Sequence, residues 1–178
     1  MIFPLKKRRL TLDASGHLKQ GRGVATDYIA SYEDLYAPYD GVVSNFQEVQ
    51  GGNWIKLTRP NGDKIEFAHL SKYIKQAPVK AGDLIAITGN TGQITTGPHL
   101  HVQIFVNGQR VDPEKYFMDR LVKASKDVFR LRNGEKDLFL NKESFEALDG
   151  RWASIETITQ SELDAIPDGF VLIAVKSE

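Results

Sequence analysis

Hydrophobic and polar residues alternate most regularly between residues 99 and 106, where the chain reads HLHVQIFV. Side chains of an extended strand point to opposite faces in turn. The opposite face to the histidines is therefore apolar, which is typical of a strand packed on a core, and it consists of Leu100, Val102, Ile104 and Val106. His99 and His101 share the other face, directly after a glycine-rich loop. This pattern predicts a buried strand that carries two imidazoles on its open side.

Shorter apolar or alternating runs, each bounded by turn residues, predict further strands at 24–30, 41–46, 53–58, 64–70, 84–88 and 109–111. Asn61-Gly62 and Asn107-Gly108 are hairpin signals between neighbouring runs. No helix of convincing length is indicated before residue 113, and residues 1–23 are expected to be irregular. Many short strands with regular turns favour an all-β domain, either a sandwich or a barrel, over a parallel sheet.

The pattern changes near Asp112-Pro113, and the elements predicted beyond that point are of both kinds. We expect helices at 113–126, 142–148 and 161–166, a hairpin at 129–140 about Asn133-Gly134, and a buried strand at 170–175. The chain is thus expected to divide into an all-β domain, residues 1–118, and a small α+β unit, residues 119–178. A unit of that size is rarely stable alone, so we expect it to pack on the first domain.

Composition and charge narrow the function classes. The chain has 178 residues, 41% of them hydrophobic, and its formal net charge of zero gives no indication of nucleic-acid binding. No apolar run approaches the roughly 18 residues of a membrane helix, so no membrane span is predicted. The basic residues Lys6 to Arg9 are not followed by an apolar segment, so no cleavable signal peptide is expected. The chain is then cytosolic, a mature fragment, or exported by another route.

The absence of cysteine decides which metal chemistry is open to this chain. Without thiolates, any metal must be held by His, Asp, Glu or water. A catalytic zinc site typically uses three protein ligands and leaves the fourth position to water. The pair His99 and His101 favours such a site, in which one histidine is a ligand and the other stands beside the open position.

The remaining polar candidates each have a structural alternative. His69 continues an apolar stripe with Ile65 and Phe67 and, taken alone, reads as a core histidine. Asp27 interrupts an apolar strand, which is costly unless the carboxylate is paired or bound to a metal, or unless the strand is a solvent-facing edge. His17 lies in a predicted loop and, taken alone, reads as a surface residue.

Six short motifs follow one another along roughly residues 20–117, and together they resemble one family. They are Ala37-Pro-Tyr-Asp-Gly-Val-Val, Gly52-Asn-Trp-Ile, Phe67-Ala-His-Leu-Ser, Val79-Lys-Ala-Gly-Asp, Gly89-Asn-Thr-Gly and Thr96-Gly-Pro-His-Leu-His-Val. In these motifs the chain resembles the lysostaphin-type (LytM-like) zinc endopeptidases of bacterial cell walls. The resemblance implies a small antiparallel β-sandwich of the duplicated hybrid motif type, with a groove above one sheet.

The resemblance also implies roles for particular residues. His101 matches a zinc ligand, and Asp27 matches the ligand carboxylate of the family. His69 and His99 match the two non-ligand histidines, which position the attacking water and stabilise the tetrahedral intermediate. They are the predicted catalytic residues.

One position departs from the family pattern. The family's other ligand histidine precedes the aspartate by four residues, and that position is Gly23 in this chain. We expect His17 to swing in from the glycine-rich segment and replace it, so that one zinc ion per chain is bound by His17, Asp27 and His101. The alternatives are weak binding by Asp27 and His101 alone, or no metal.

Two functions follow from these residues. The first is zinc-dependent hydrolysis of peptide bonds in peptidoglycan stem peptides or cross-bridges, with the peptidoglycan peptide as the partner and a phage lysin or virion-associated wall hydrolase as the setting. The second is a non-catalytic scaffold that binds peptidoglycan or another partner through a degenerate metal site. A phosphocarrier domain with a related β-sandwich is a third, less favoured class. The C-terminal unit is a candidate for binding a protein partner.

Overall fold

The computed structural model describes residues 3–117, 120–132, 135–148, 155–164, 166 and 168–172. The chain divides into two compact units, Met1–Glu114 and Lys115–Glu178. The boundary expected from the sequence lies slightly later, after residue 118.

Every strand pairing described in the first unit is antiparallel. Its strands are β1 (Leu10–Leu12), β2 (Thr26–Ile29), β3 (Asp34–Tyr36), β4 (Gly41–Glu48), β5 (Gly52–Thr58), β6 (Lys64–Ala68), β7 (Lys72–Tyr73), β8 (Pro78–Val79), β9 (Leu84–Ile87), β10 (His99–Val106) and β11 (Gln109–Val111). Among the described residues they form an eight-stranded sheet, ordered β1-β2-β10-β6-β5-β4-β8 with β11 on β10, and a three-stranded sheet, β3-β9-β7. The predicted antiparallel β-fold is confirmed.

Strand β10 lies between β2 and β6, and its register sets the position of the histidines. His101 is opposite Asp27 on β2 and opposite Ala68 on β6. Leu100 and Val102 are fully buried, whereas His99 and His101 are only half-buried. The two faces predicted from the alternation are therefore confirmed.

The N-terminal segment is more ordered than expected. It contains β1 and a short helix, α1 (Ala14–Lys19), in place of an irregular stretch. The Asp13 side chain caps this helix by accepting a hydrogen bond from the Gly16 N–H at 2.7 Å. Gly21, in the left-handed region with φ of 69°, lies just beyond the helix end. A helix of six residues is too short to produce a readable period, which is why the sequence did not reveal it.

The second unit is α+β, as expected. Its elements are β12 (Arg120–Ala124), β13 (Asp127–Arg132), β14 (Glu135–Phe139), α3 (Lys142–Leu148), β15 (Ile155–Thr157), α4 (Gln160–Asp164) and β16 (Asp168–Leu172). The described sheet is ordered β15-β12-β13-β14-β16, and the pairs β12–β15 and β14–β16 are parallel. Val122 packs with Leu131 and Leu163, whereas Leu121 packs with Phe139 and Phe145.

One helix prediction is wrong. The helix expected over 113–126 ends at Phe117, as α2 (Pro113–Phe117), and residues 120–124 form β12. Apolar side chains of β12 contact two different buried clusters, so the strand lacks the polar alternation that would distinguish it from a helix.

The other C-terminal predictions are confirmed where the structure describes them. Strands β13 and β14 pair as an antiparallel hairpin, although its turn, Asn133-Gly134, lies outside the described residues. Helix α3 matches the predicted one, α4 overlaps the helix predicted over 161–166 but ends at Asp164, and β16 covers part of the predicted strand, whose residues 173–175 are not described. None of the helices in the described ranges has the length and apolar character needed to cross a bilayer.

Candidate metal centre

The pairing of β10 with β2 brings His101 against Asp27. Nδ1 of His101 lies 2.7 Å from Oδ1 of Asp27. The other ring nitrogen, Nε2, is 3.0 Å from the side-chain amide nitrogen of Gln103, which donates to it. The proton of the neutral ring is therefore on Nδ1, where Asp27 accepts it. Strand β2 has neighbours on both sides, so Asp27 is not on a solvent-facing edge.

His17 completes the cluster, and it does so from α1 and as a buried residue, whereas the residue taken alone indicated a surface loop. Its residue exposure is 1%, and its ring meets the ring of His101 edge-on at a centroid distance of 5.0 Å. Nε2 of His17 lies 3.1 Å from Oδ1 of Asp27, yet neither nitrogen of the ring makes a hydrogen bond. A buried polar group without a partner costs about 1–3 kcal/mol.

The donor atoms of His17, Asp27 and His101, hereafter the metal cluster, lie within 4.8 Å of one another. Two imidazoles and one carboxylate are a donor set that catalytic zinc uses. A metal ion would also satisfy the buried His17 ring, which has no hydrogen-bond partner among the described residues. The residues present therefore fit zinc.

Charge in the metal cluster is set by burial and by the imidazoles. Burial alone raises the pKa of Asp27, but the hydrogen bond with His101 and the close approach of His17 outweigh it and hold the pKa well below its usual range. Burial lowers the pKa of His101 and is only partly opposed by Asp27. A carboxylate beside neutral imidazole is the protonation state that metal ligation requires.

His69 lies just past the end of β6 and leaves the strand's apolar stripe. Its backbone is left-handed, with φ of 61°, and its ring centroid lies 4.5 Å from that of His99 and 5.9 Å from that of His101. Nδ1 is 2.8 Å from the Thr91 carbonyl, so it donates a proton there and leaves Nε2 as an acceptor. Burial lowers the pKa of His69 to about 4, so the ring is neutral at pH 7.

His99 is oriented in the same way. Its Nδ1 lies 2.8 Å from the Gly97 carbonyl, to which it donates a hydrogen bond. Its Nε2 lies 3.8 Å from Oδ2 of Asp27. His69 and His99 thus each have one nitrogen fixed by a backbone carbonyl and the other nitrogen able to accept a proton.

All five predicted site residues line one open groove of about 810 Å³. Other residues line the groove that the sequence did not single out, among them Trp54, Gln103 and Arg110. Trp54 meets His101 edge-on at 5.8 Å. Gln103 continues the period-two face of His99 and His101, and that signal could have revealed it.

Gly23 leaves no gap in this groove. Its backbone is left-handed, with φ of +79°, and a Cβ atom on it would lie 2.5 Å from Nη1 of Arg110. The space of a side chain at position 23 is therefore occupied by a guanidinium. His17, on α1, is the imidazole that lies against Asp27.

The groove is thus lined by two histidines and an aspartate whose donor atoms could hold one metal ion. The sequence pattern of Peptidase family M23 matches residues 20–113, which is more than half of the chain. The chain therefore belongs to Peptidase family M23, and the lysostaphin-type resemblance is confirmed. The matched segment includes Asp27, His69, His99 and His101 but begins after His17.

Known proteins share this segment and its fold. The chain is 35% identical over 103 residues to the peptidoglycan DD-endopeptidase ShyC of Vibrio cholerae, a match that covers 56% of this chain and 23% of ShyC. A zinc-containing peptidase of Vibrio cholerae, known as a crystal structure, matches with 31% identity and a TM-score of 0.54 over 62% of this chain and 37% of that one. Lysostaphin of Staphylococcus simulans, at 24% identity and a TM-score of 0.51 over 65% and 53%, shares the fold. The chain spans about a quarter of the length of the curated relatives it matches.

Proposed function

We propose that this protein is a zinc-dependent endopeptidase that hydrolyses peptide bonds in peptidoglycan stem peptides or cross-bridges. The observation that carries the proposal is the His17 ring, which is buried beside Asp27 and has no hydrogen-bond partner in the part of the chain that the structure describes. The name of the relative ShyC supports peptidoglycan as the substrate. We extend the proposal to a wall-facing setting, such as a phage virion or lysis protein, or an extracytoplasmic mature fragment.

His17, Asp27 and His101 are the proposed ligands of one zinc ion per chain. Zinc bound there supplies a Lewis acid for the scissile carbonyl and lowers the pKa of water towards neutrality. Asp27 contributes the single negative charge of the set and stays ionised because its pKa is depressed.

His99 and His69 are the proposed catalytic residues. Nε2 of His99 faces Asp27 and accepts the proton of the attacking water, then returns it to the leaving amine as a general acid. His69 is neutral at pH 7 and accepts a hydrogen bond at Nε2, which positions a water or a substrate N–H beside His99. The carbonyls of Thr91 and Gly97 accept hydrogen bonds from Nδ1 of His69 and His99, respectively, and so leave Nε2 of each ring free to accept a proton or a hydrogen bond.

The test measures zinc content and the release of new amines from purified cell wall. We expect near-stoichiometric zinc and cleavage by the full chain, both lost in His101→Ala. Lys19→Ala, which changes an exposed residue of α1, is the matched control and retains both. Full cleavage by metal-stripped protein would overturn the proposal. Binding to the wall with neither zinc nor cleavage would favour the non-catalytic scaffold instead.

A further inference from the structure

Arg110 is a cation of the groove without an acidic partner among the described residues. The side chains of Arg8, Arg9 and Arg130 lie within ion-pair distance of Glu114, Glu33 and Asp137, respectively. Within the described ranges, the Arg110 guanidinium makes a single hydrogen bond, a long one of 3.5 Å from Nη1 to the Arg22 carbonyl. A guanidinium carries five N–H donors, so most of its hydrogen-bonding capacity remains available to a ligand in the groove.

The position of Arg110 is held by its neighbours. Strand β11 pairs with β10 so that Arg110 lies opposite Phe105, and the guanidinium carbon is 5.4 Å from the Phe105 ring centroid. Nη1 occupies the space that a Cβ at position 23 would take. A cation over an aromatic face is stabilised, and a partly fixed side chain loses less entropy when a ligand binds.

The strand order places Arg110 on a defined side of the metal cluster. Strand β6 pairs with one edge of β10, so β11 and β2 lie on the other edge. Glu48, which also lines the groove, is at the end of β4, beyond β6 and β5. A peptide lying across the strands therefore meets an anion on the β4 side and a guanidinium on the β11 side.

From this placement we propose that Arg110 forms a subsite for a free carboxylate of the substrate peptide, on the β11 side of the metal cluster. The inference rests on the proposed function and adds a preference for acidic over amidated stem peptides. Stem peptides carry free carboxylates, and a guanidinium fork binds a carboxylate through two parallel hydrogen bonds. The substrate class is thus a peptide with a free carboxylate on the Arg110 side of the scissile bond.

The test compares two synthetic cross-linked stem peptides, one with free carboxylates and one with carboxamides. For the wild-type full chain we expect KM for the acid to be at least about tenfold lower than for the amide. Arg110→Gln should remove this preference by raising KM for the acid, with kcat and zinc content little changed. Arg9→Gln removes the same charge outside the groove and should retain the preference.

Two further variants separate charge from position. Arg110→Lys keeps the charge but loses the fork, and should keep only part of the preference. Gly23→Ala displaces the guanidinium without removing it, and should weaken the preference as well.

Equal KM values for the two peptides in the wild type, or a preference that survives Arg110→Gln, would overturn the inference. Calorimetric titration with both peptides separates this failure from failure of the proposed function. If neither peptide is cleaved but the acid binds about tenfold more tightly through Arg110, the subsite stands and the peptidase proposal fails. Cleavage of both peptides with equal binding would instead refute the subsite and support the peptidase.

Discussion

Nε2 of His17 lies 3.1 Å from Oδ1 of Asp27, although the two residues belong to a helix and to a strand. The chain between them reverses through two left-handed glycines, Gly21 with φ of 69° and Gly23 with φ of 79°. Such angles are strained for residues with a side chain and easy for glycine. The glycine-rich segment therefore brings an imidazole back onto β2, from a position before the segment that the family pattern matches.

His17→Ala should abolish tight zinc binding. The proposed site then keeps Asp27 and His101, and the loss of one of three protein ligands should weaken binding by several kcal/mol, which is more than a hundredfold. The measurement is the zinc dissociation constant, determined by competition with a chelating dye. Lys19→Ala should bind zinc like the wild type because its side chain is exposed on the same helix. Wild-type affinity in His17→Ala would show that His17 is not a ligand.

Much of the site can be predicted because it depends on local pattern. Period-two alternation is a property of the extended backbone, so residues 99–106 alone predict β10 and the shared face of His99 and His101. Asp27 stands out because a carboxylate is costly within an apolar strand. The short motifs then limit the fold to one family.

The rest depends on contacts between distant parts of the chain. Burial of His17 follows from its approach to Asp27 on β2, and the position of the Arg110 guanidinium follows from its approach to Gly23. Neither contact leaves a local signature, although Asn107-Gly108 does indicate the β10–β11 hairpin itself. The helix expected over 113–126 is wrong for a related reason, because β12 is apolar on both faces and only its neighbours decide that it is a strand.

Gly23→Ala should destabilise the protein by about 1–2 kcal/mol. The main cause is the left-handed backbone, which an L-residue adopts at a cost of this size. The steric cost is smaller, since the clashing atom is the end of a flexible arginine. The measurement is the free energy of unfolding from denaturant titration. Gly97→Ala is the control, because Gly97 has no positive φ and nothing within 4 Å of a Cβ, and it should be nearly neutral. Equal stabilities of the two variants would contradict this prediction.

His69 should make the metal-free protein less stable as the pH falls from about 6.5 towards 4. Burial lowers its folded-state pKa to about 4 from the ordinary value of 6.5, so in this window the unfolded chain binds a proton that the folded chain does not. The contribution of neutral His69 to the free energy of unfolding is therefore complete above pH 6.5. It is lost on acidification and amounts to ~2 kcal/mol after allowance for solvent screening.

His69→Asn tests this pH dependence while preserving the backbone, because asparagine tolerates the left-handed φ of 61°. Chelator-treated wild type and variant are unfolded by denaturant at several pH values. Their difference in free energy should be constant above pH 7 and should shrink or reverse towards pH 4. The buried His101 acts in the same direction in both proteins and cancels from the comparison. If the free energies of unfolding of the two proteins differed by the same amount at every pH, His69 would titrate normally.

Gln103 should control zinc affinity through His101. When Nδ1 of His101 binds a metal, the proton must sit on Nε2, and that N–H needs an acceptor. Gln103 is buried and lies 3.0 Å from Nε2, so rotation of its amide presents the oxygen. Gln103→Leu removes the acceptor and should weaken zinc binding by about 10–100-fold. Gln103→Glu keeps an acceptor and should bind at least as tightly as the wild type.

The comparison of these two variants separates positioning from folding. Denaturant titration of the metal-free proteins reports any loss of packing at this buried position. We expect the leucine variant to fold normally but bind zinc weakly, and the glutamate variant to bind zinc well. That result would show that the hydrogen-bond partner of Nε2 determines which nitrogen of His101 carries the proton. Wild-type affinity in Gln103→Leu would mean that Asp27 alone orients His101.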